Sequence, residues 1–138
     1  MNEPVRRLIQ RFLDAIGRGD PLDDMITPDL KVWTVTSGDT EKAQFLGAVK
    51  LLAKIFDGGL RYDIHALTVQ EDRAVAEVTS HGTLPDGAPF ANVHAFIFRI
   101  RDGRIASMAE FMDQFLVAEK LAPLLQSALA GGSSEHRQ

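Results

Sequence analysis

The chain has 138 residues, 45% of them hydrophobic and 25% charged, the size and balance of a single globular domain able to bury its own core. It contains no cysteine, which excludes disulfides, thiolate nucleophiles and cysteine-bound metal centres. A net charge of -4 without a run of basic residues leaves no electrostatic footprint for nucleic acid, so no such partner is expected.

The first residues, with Glu3, Pro4, Arg6 and Arg7, lack the apolar run of a signal peptide. No stretch approaches the ~18 unbroken apolar residues of a membrane span, and a cytoplasmic protein is the expectation. Val5, Leu8, Ile9, Phe12, Leu13 and Ile16 fall on one helical stripe, which Gly17 and Gly19 end. Pro21 to Ile26 can form a short helical turn closed by Thr27-Pro28-Asp29, and Leu30 to Thr36 reads as a strand. Asp39 or Thr40 is placed to cap a second helix with the stripe Phe45, Val49, Leu52 and Phe56, ended by Asp57-Gly58-Gly59.

From there the period changes to two. Leu60 to Gln70, Ala74 to Leu84, Phe90 to Arg101 and Arg104 to Asp113 suit four successive antiparallel strands. Asp102-Gly103 marks a tight hairpin, because a type I′ turn needs positive φ at both central residues. Gln114 onward returns to a helical pattern that Pro123 interrupts. The domain is expected to span residues 1–130, with 131–138 a flexible tail. Helices followed by a meander of long strands make an α+β domain, with helices gathered on one side of a curved sheet. Such a sheet forms a cone that is either filled by side chains or open as a ligand pocket.

The last hairpin carries the candidate chemistry. Asn92 and His94 share a strand face with Phe96 and Phe98, and Glu110 shares one with Met108 and Met112. Polar groups on an apolar face need partners or a wet cavity, since burial without either costs about 1–3 kcal/mol per group. A desolvated carboxylate favours its proton, which suits Glu110 to acid–base work; the bland alternative is an ion pair with Arg or a dimer edge. An imidazole at His94 can exchange protons near neutrality or simply satisfy the core. Glu77, Thr79 and His81 alternate on one face, either looking into the cone or out to solvent, with Ala74, Ala76 and Val78 as the more apolar set. Trp33 with Val35 and Val32 with Thr34 compete for the inward face of their strand. Asp113 stands where it can cap the final helix, and His65 beside Asp63 suits a surface. No His-x-x-x-His spacing supports a metal, and none is expected.

The run Arg11 to Asp20, Glu77 to Gly82, Asn92 to Phe98, Asp102 to Ile105 and Glu110 to Asp113 resemble, in this order, the SnoaL-like branch of the nuclear transport factor 2-like superfamily. The resemblance covers nearly all of Val5 to Leu121 and implies a cystatin-like α+β barrel, a curved, mostly antiparallel sheet wrapped around N-terminal helices. It also implies a homodimer, no cofactor, and a small apolar or aromatic organic ligand. The ketosteroid isomerases of this superfamily use a Tyr and an Asp as oxyanion donors and a second Asp as base. Here those positions fall on Phe12, near Phe96 and on or beside Thr34, so that triad is not retained. The Asp-Arg-Asp set of limonene epoxide hydrolases falls on Thr79, Glu77 and Glu110, of which only the last acid remains. In SnoaL-like cyclases an Asp serves as acid or base, for which Glu110 and Asp113 are the candidates. The resemblance thus implies a pocket shaped by Phe12, Trp33, Thr34, Glu77, Thr79, His81, Asn92, Phe96, Phe98 and Met108, with Glu110 and His94 as catalytic candidates. Isomerisation, cyclisation, hydration or dehydration would be the reaction class, and a non-catalytic binding or assembly domain is the competing expectation.

Overall fold

A computed structural model describes residues 2–136. Helix α1 covers Glu3–Arg18 and buries the expected stripe, with Gly19 in the left-handed region (φ 75°) closing it onto the carbonyls of Ala15 and Ile16. Strand β1 (Ile26–Thr34) starts earlier than its alternation suggests. Thr27-Pro28-Asp29 belongs to it, tolerated because the register with its parallel neighbour shifts between Ile26 and Lys31. Asp39 and Thr40 do not cap the next helix. They form β2 (Gly38–Thr40), which pairs back antiparallel onto β1, and α2 (Lys42–Ile55) begins after Glu41 without a side-chain cap.

The meander follows the sequence closely: β3 (Arg61–Gln70), β4 (Arg73–Thr83), β5 (Pro89–Arg101) and β6 (Arg104–Met112) pair consecutively and antiparallel. Asp102 (φ 53°) and Gly103 (φ 75°) supply the two positive angles of the β5–β6 turn. The sheet order is β2-β1-β6-β5-β4-β3, with β1–β6 the only parallel pairing among the described residues. Two irregularities bend it. Ile64 pairs with Val78 and Ala66 with Glu77, leaving His65 as an extra residue in β3, and Ala106 is extra in β6 opposite Arg99 and Ile100. Each extra residue kinks its strand and exchanges the faces beyond it, so the sheet curls around α1 and α2.

The concave face packs its base with Phe12, Phe96 and Phe98, all fully buried. The Phe96 and Phe98 rings stack at 5.8 Å between centroids, and Phe12 meets Phe98 edge-on at 5.9 Å. Gly17 lets α1 touch the start of β3: a Cβ there would stand 2.1 Å from the Leu60 carbonyl oxygen, while the Leu60 N–H donates to the Gly17 carbonyl at 2.8 Å. After β6, Asp113 accepts from the N–H groups of Phe115 and Leu116, capping the C-terminal helix as its position suggests. That helix runs as α3 (Gln114–Leu116), a wide π-turn (Val117–Leu121) and α4 (Ala122–His136). The π-turn contains Glu119, whose carbonyl would otherwise meet the ring of Pro123; widening the turn relieves that clash. The segment expected as a tail from Gly131 thus lies on the backbone of α4 as far as His136, and 137–138 fall outside the described residues. Among the described residues, no helix is long and apolar enough to cross a membrane.

Candidate active site

Between the concave face of the sheet, α2 and the C-terminal helix lies a cavity of about 340 Å³. Its apolar end is built by Phe45, Val49 and Leu52 of α2, with Leu121 and Leu125 facing them. Its polar end is a patch of the sheet: Thr34, Tyr62, Ser80, Asn92, His94 and Glu110.

Register makes the patch. Tyr62 on β3 pairs with Ser80 on β4, which pairs with Asn92 on β5, so the three side chains stand in one transverse row. His94 lies two residues further along β5, and Glu110 stands on β6 opposite Phe96. Diagonal neighbours on one face are within reach of long side chains. The His94 Nδ1 lies 2.8 Å from Glu110 Oε2, and the His94 Nε2 lies 2.8 Å from Ser80 Oγ. With an ionised Glu110 accepting from Nδ1–H and the ring neutral, Nε2 presents a lone pair into which the Ser80 hydroxyl donates. The pair is desolvated: the His94 side chain is 8% exposed and that of Glu110 16%, and what remains of Glu110 opens into the cavity. The imidazole stacks on Phe96 at 5.4 Å and meets the tilted ring of Tyr62 at 5.6 Å.

Tyr62 is buried, and its hydroxyl forms no hydrogen bond among the described residues. Burial, aided by the charge of nearby Glu110, raises its pKa well above that of an ordinary phenol. It is therefore a neutral O–H donor at neutral pH. Asn92 is 3% exposed; its Oδ1 accepts from the Val93 N–H at 2.8 Å, and its Nδ2 makes only a long 3.4 Å bond to the Asp113 carbonyl.

The sequence candidates divide into three groups. Glu110, His94, Asn92 and Thr34 line the cavity together. Phe12, Phe96, Phe98 and Met108 lie beneath it in the packed core, supporting it without lining it. Trp33, Glu77, Thr79 and His81 are on the opposite face, which corrects the expectation that they enter the pocket. Trp33 packs on Phe111 at 5.1 Å, His81 pairs with Asp63 at 3.3 Å, Thr79 bonds His65, and Glu77 is exposed. The reason is the apolar parity of β4: Ala74, Ala76 and Val78 are buried, and Ser80 continues that row. Sequence reasoning missed Ser80 and Tyr62. The signal for Ser80 was its place two residues beyond Val78, and for Tyr62 its place opposite Ser80. Among the described residues, no group of three or more His, Asp or Glu gathers as a metal-binding set.

The SnoaL-like domain model matches residues 9–108 of this chain. No curated protein matches it. Among solved structures, TsrD from Streptomyces laurentii superposes with a TM-score of 0.72 at 25% identity, over 88% of this chain and 97% of that one. An NTF2-like protein from Anabaena variabilis gives 0.70 at 21% identity, over 80% and 87%. An LEH-like epoxide hydrolase from M. tuberculosis gives 0.68 at 17% identity, over 82% and 81%, a likeness of fold. The matched span runs from the first buried turn of α1 to Met108 on β6 and so holds the cone and all of the polar patch except Glu110. The chain belongs to the SnoaL-like domain family.

Proposed function

We propose that this domain binds a mostly apolar organic molecule bearing a carbonyl or related oxygen, and that it catalyses cofactor-free proton transfer on it, as in isomerisation, cyclisation, hydration or dehydration. The observation behind this reading is the cluster of donors and acceptors, Tyr62, Ser80, Asn92, His94 and Glu110, that faces a largely apolar cavity. The apolar end takes the ligand body. At the other end the protonated Tyr62 donates to the ligand oxygen, where charge develops during enolisation. Glu110 has one oxygen bound to His94; the other has no partner among the described residues and is the proton acceptor. His94 cannot take that part without first releasing Ser80 or Glu110, so it orients the carboxylate. Fold alone assigns no reaction; the chemistry lies with these residues.

The competing reading, a non-catalytic binding or assembly domain, draws on one observation: Ser80, His94 and Glu110 satisfy one another as a closed polar core would. Incubating the protein with a bicyclic aromatic ketone in deuterated water separates the two. The expected result is protein-dependent deuterium uptake at the carbon beside the carbonyl, lost in Glu110→Gln. Uptake no faster than in buffer, or unchanged by the substitution, rejects the catalytic reading. We also propose that two copies associate through the outer sheet face, where Val93 and Phe111 are 61% and 43% exposed.

A further inference from the structure

The two hydrogen bonds around His94 have a polarity that proton transfer to a carbon acid does not use. Glu110 Oε2 and Ser80 Oγ each lie 2.8 Å from a ring nitrogen, Nδ1 and Nε2, and in the neutral ring with its proton on Nδ1 the Ser80 hydroxyl donates to Nε2. This is the order nucleophile, base, orienting carboxylate, with each contact inside the 2.6–3.2 Å range that an activated hydroxyl needs. We infer that Ser80 is a covalent nucleophile and that the pocket carries acyl-transfer activity toward esters with an apolar acyl chain.

Three further observations fit that role. Ser80 lines the cavity, and the apolar wall built by Phe45, Val49, Leu121 and Leu125 gives an acyl chain its place. The residues paired with Ser80 on either side are both donors: Tyr62, whose phenol stays protonated, and Asn92, whose Nδ2 is held only by a 3.4 Å bond. Donors flanking the nucleophile are what a developing oxyanion requires. The imidazole packs against Phe96 and Tyr62, which also touch each other, and its two ring nitrogens are both engaged, so its Nε2 stays aimed at Ser80.

The steps balance without a further reagent. Oγ attacks the ester carbonyl carbon while its proton passes to Nε2, and the imidazolium formed is stabilised by Glu110. Collapse of the tetrahedral intermediate breaks the bond to the alcohol oxygen, which leaves with the proton from Nε2. Water then adds to the acyl-serine, giving its proton to Nε2, and Ser80 departs with that proton as the acid is released. The sum is ester plus water to acid plus alcohol.

The inference rests on the cavity being a ligand pocket, and the test keeps the two apart. The full chain is mixed with p-nitrophenyl hexanoate and, separately, with an alkyl fluorophosphonate, followed by intact mass and peptide mapping; binding of an apolar fluorescent dye is measured in parallel. The expected result is a single adduct on Ser80, with Ser80→Ala lowering nitrophenol release at least ~100-fold and His94→Gln doing the same. Because the chain has no cysteine, Ser80→Cys adds a unique thiol that should be acylated by the same ester. Dye binding without an adduct on Ser80, or an adduct elsewhere that survives Ser80→Ala, overturns the nucleophile and leaves the pocket standing. An unreactive Ser80→Cys thiol in folded protein overturns it as well. Absence of both dye binding and adduct overturns the pocket reading and this inference with it.

Discussion

A carboxylate has two oxygens, and at Glu110 only one is held: Oε2 by the His94 ring at 2.8 Å. The other, Oε1, is free to take the proton in the proposed reaction. Glu110→Gln keeps size and polarity but removes the basic oxygen, so turnover of any substrate found by screening should fall by roughly 10²–10⁴-fold, the usual contribution of a positioned acid or base. Circular dichroism of the variant should be unchanged. Tyr62 offers a test free of any substrate, because it is the only tyrosine in the chain. Ultraviolet absorbance should show no phenolate at the ordinary value of 10.0, since burial and Glu110 raise its pKa. A transition there would contradict the burial of that hydroxyl. The sign for stability follows: a raised folded value means that the contribution is complete below pH 10 and declines as pH rises above it. At this scale the sequence was half legible. Glu110, His94 and Asn92 could be placed by alternation because each shares a face with apolar neighbours on its own strand, for Glu110 beyond the irregularity at Ala106, whereas Thr34 was left between two competing faces. Glu77, Thr79 and His81 were ambiguous because β4 alternates between two plausible faces, and only packing against α1 decides which is inside.

At the scale of elements, the stack of Phe96 and Phe98 with Phe12 sets how deep the cavity reaches. Phe98→Ala should cost about 3–5 kcal/mol in denaturant unfolding, as for other large core truncations. Gly17→Ala should cost about 1–3 kcal/mol, because the added methyl meets the Leu60 carbonyl and forces α1 off β3. A loss within experimental error in either variant would contradict the packing described. The elements themselves were mostly legible. The α1 stripe, the four-strand meander and the Asp102-Gly103 turn follow from period and turn chemistry. The failures have a common cause in tertiary pairing. Gly38–Thr40 became a strand because β1 offered it an edge, and Pro28 entered β1 where a register shift spares the hydrogen bond that it lacks. His65 as an extra residue in β3 is likewise invisible to a period-two reading.

At the scale of the molecule, the curled sheet presents two faces of different character. The inner one holds the cavity, and the outer one carries Trp33 on Phe111 with Val93 exposed nearby. Sedimentation at micromolar concentration should give twice the chain mass, and Phe111→Glu should halve it; a monomer in the parent protein would contradict association through this face. The claim on which the rest depends is that the cone is a ligand pocket with one polar end. Titrating a bicyclic aromatic ketone into isotope-labelled protein and following amide resonances tests it most directly. Saturable shifts are expected at Thr34, Tyr62, Ser80, Asn92, His94 and Glu110, together with the pocket face of α2. Shifts confined to the outer face, or none at saturating ketone, would contradict it.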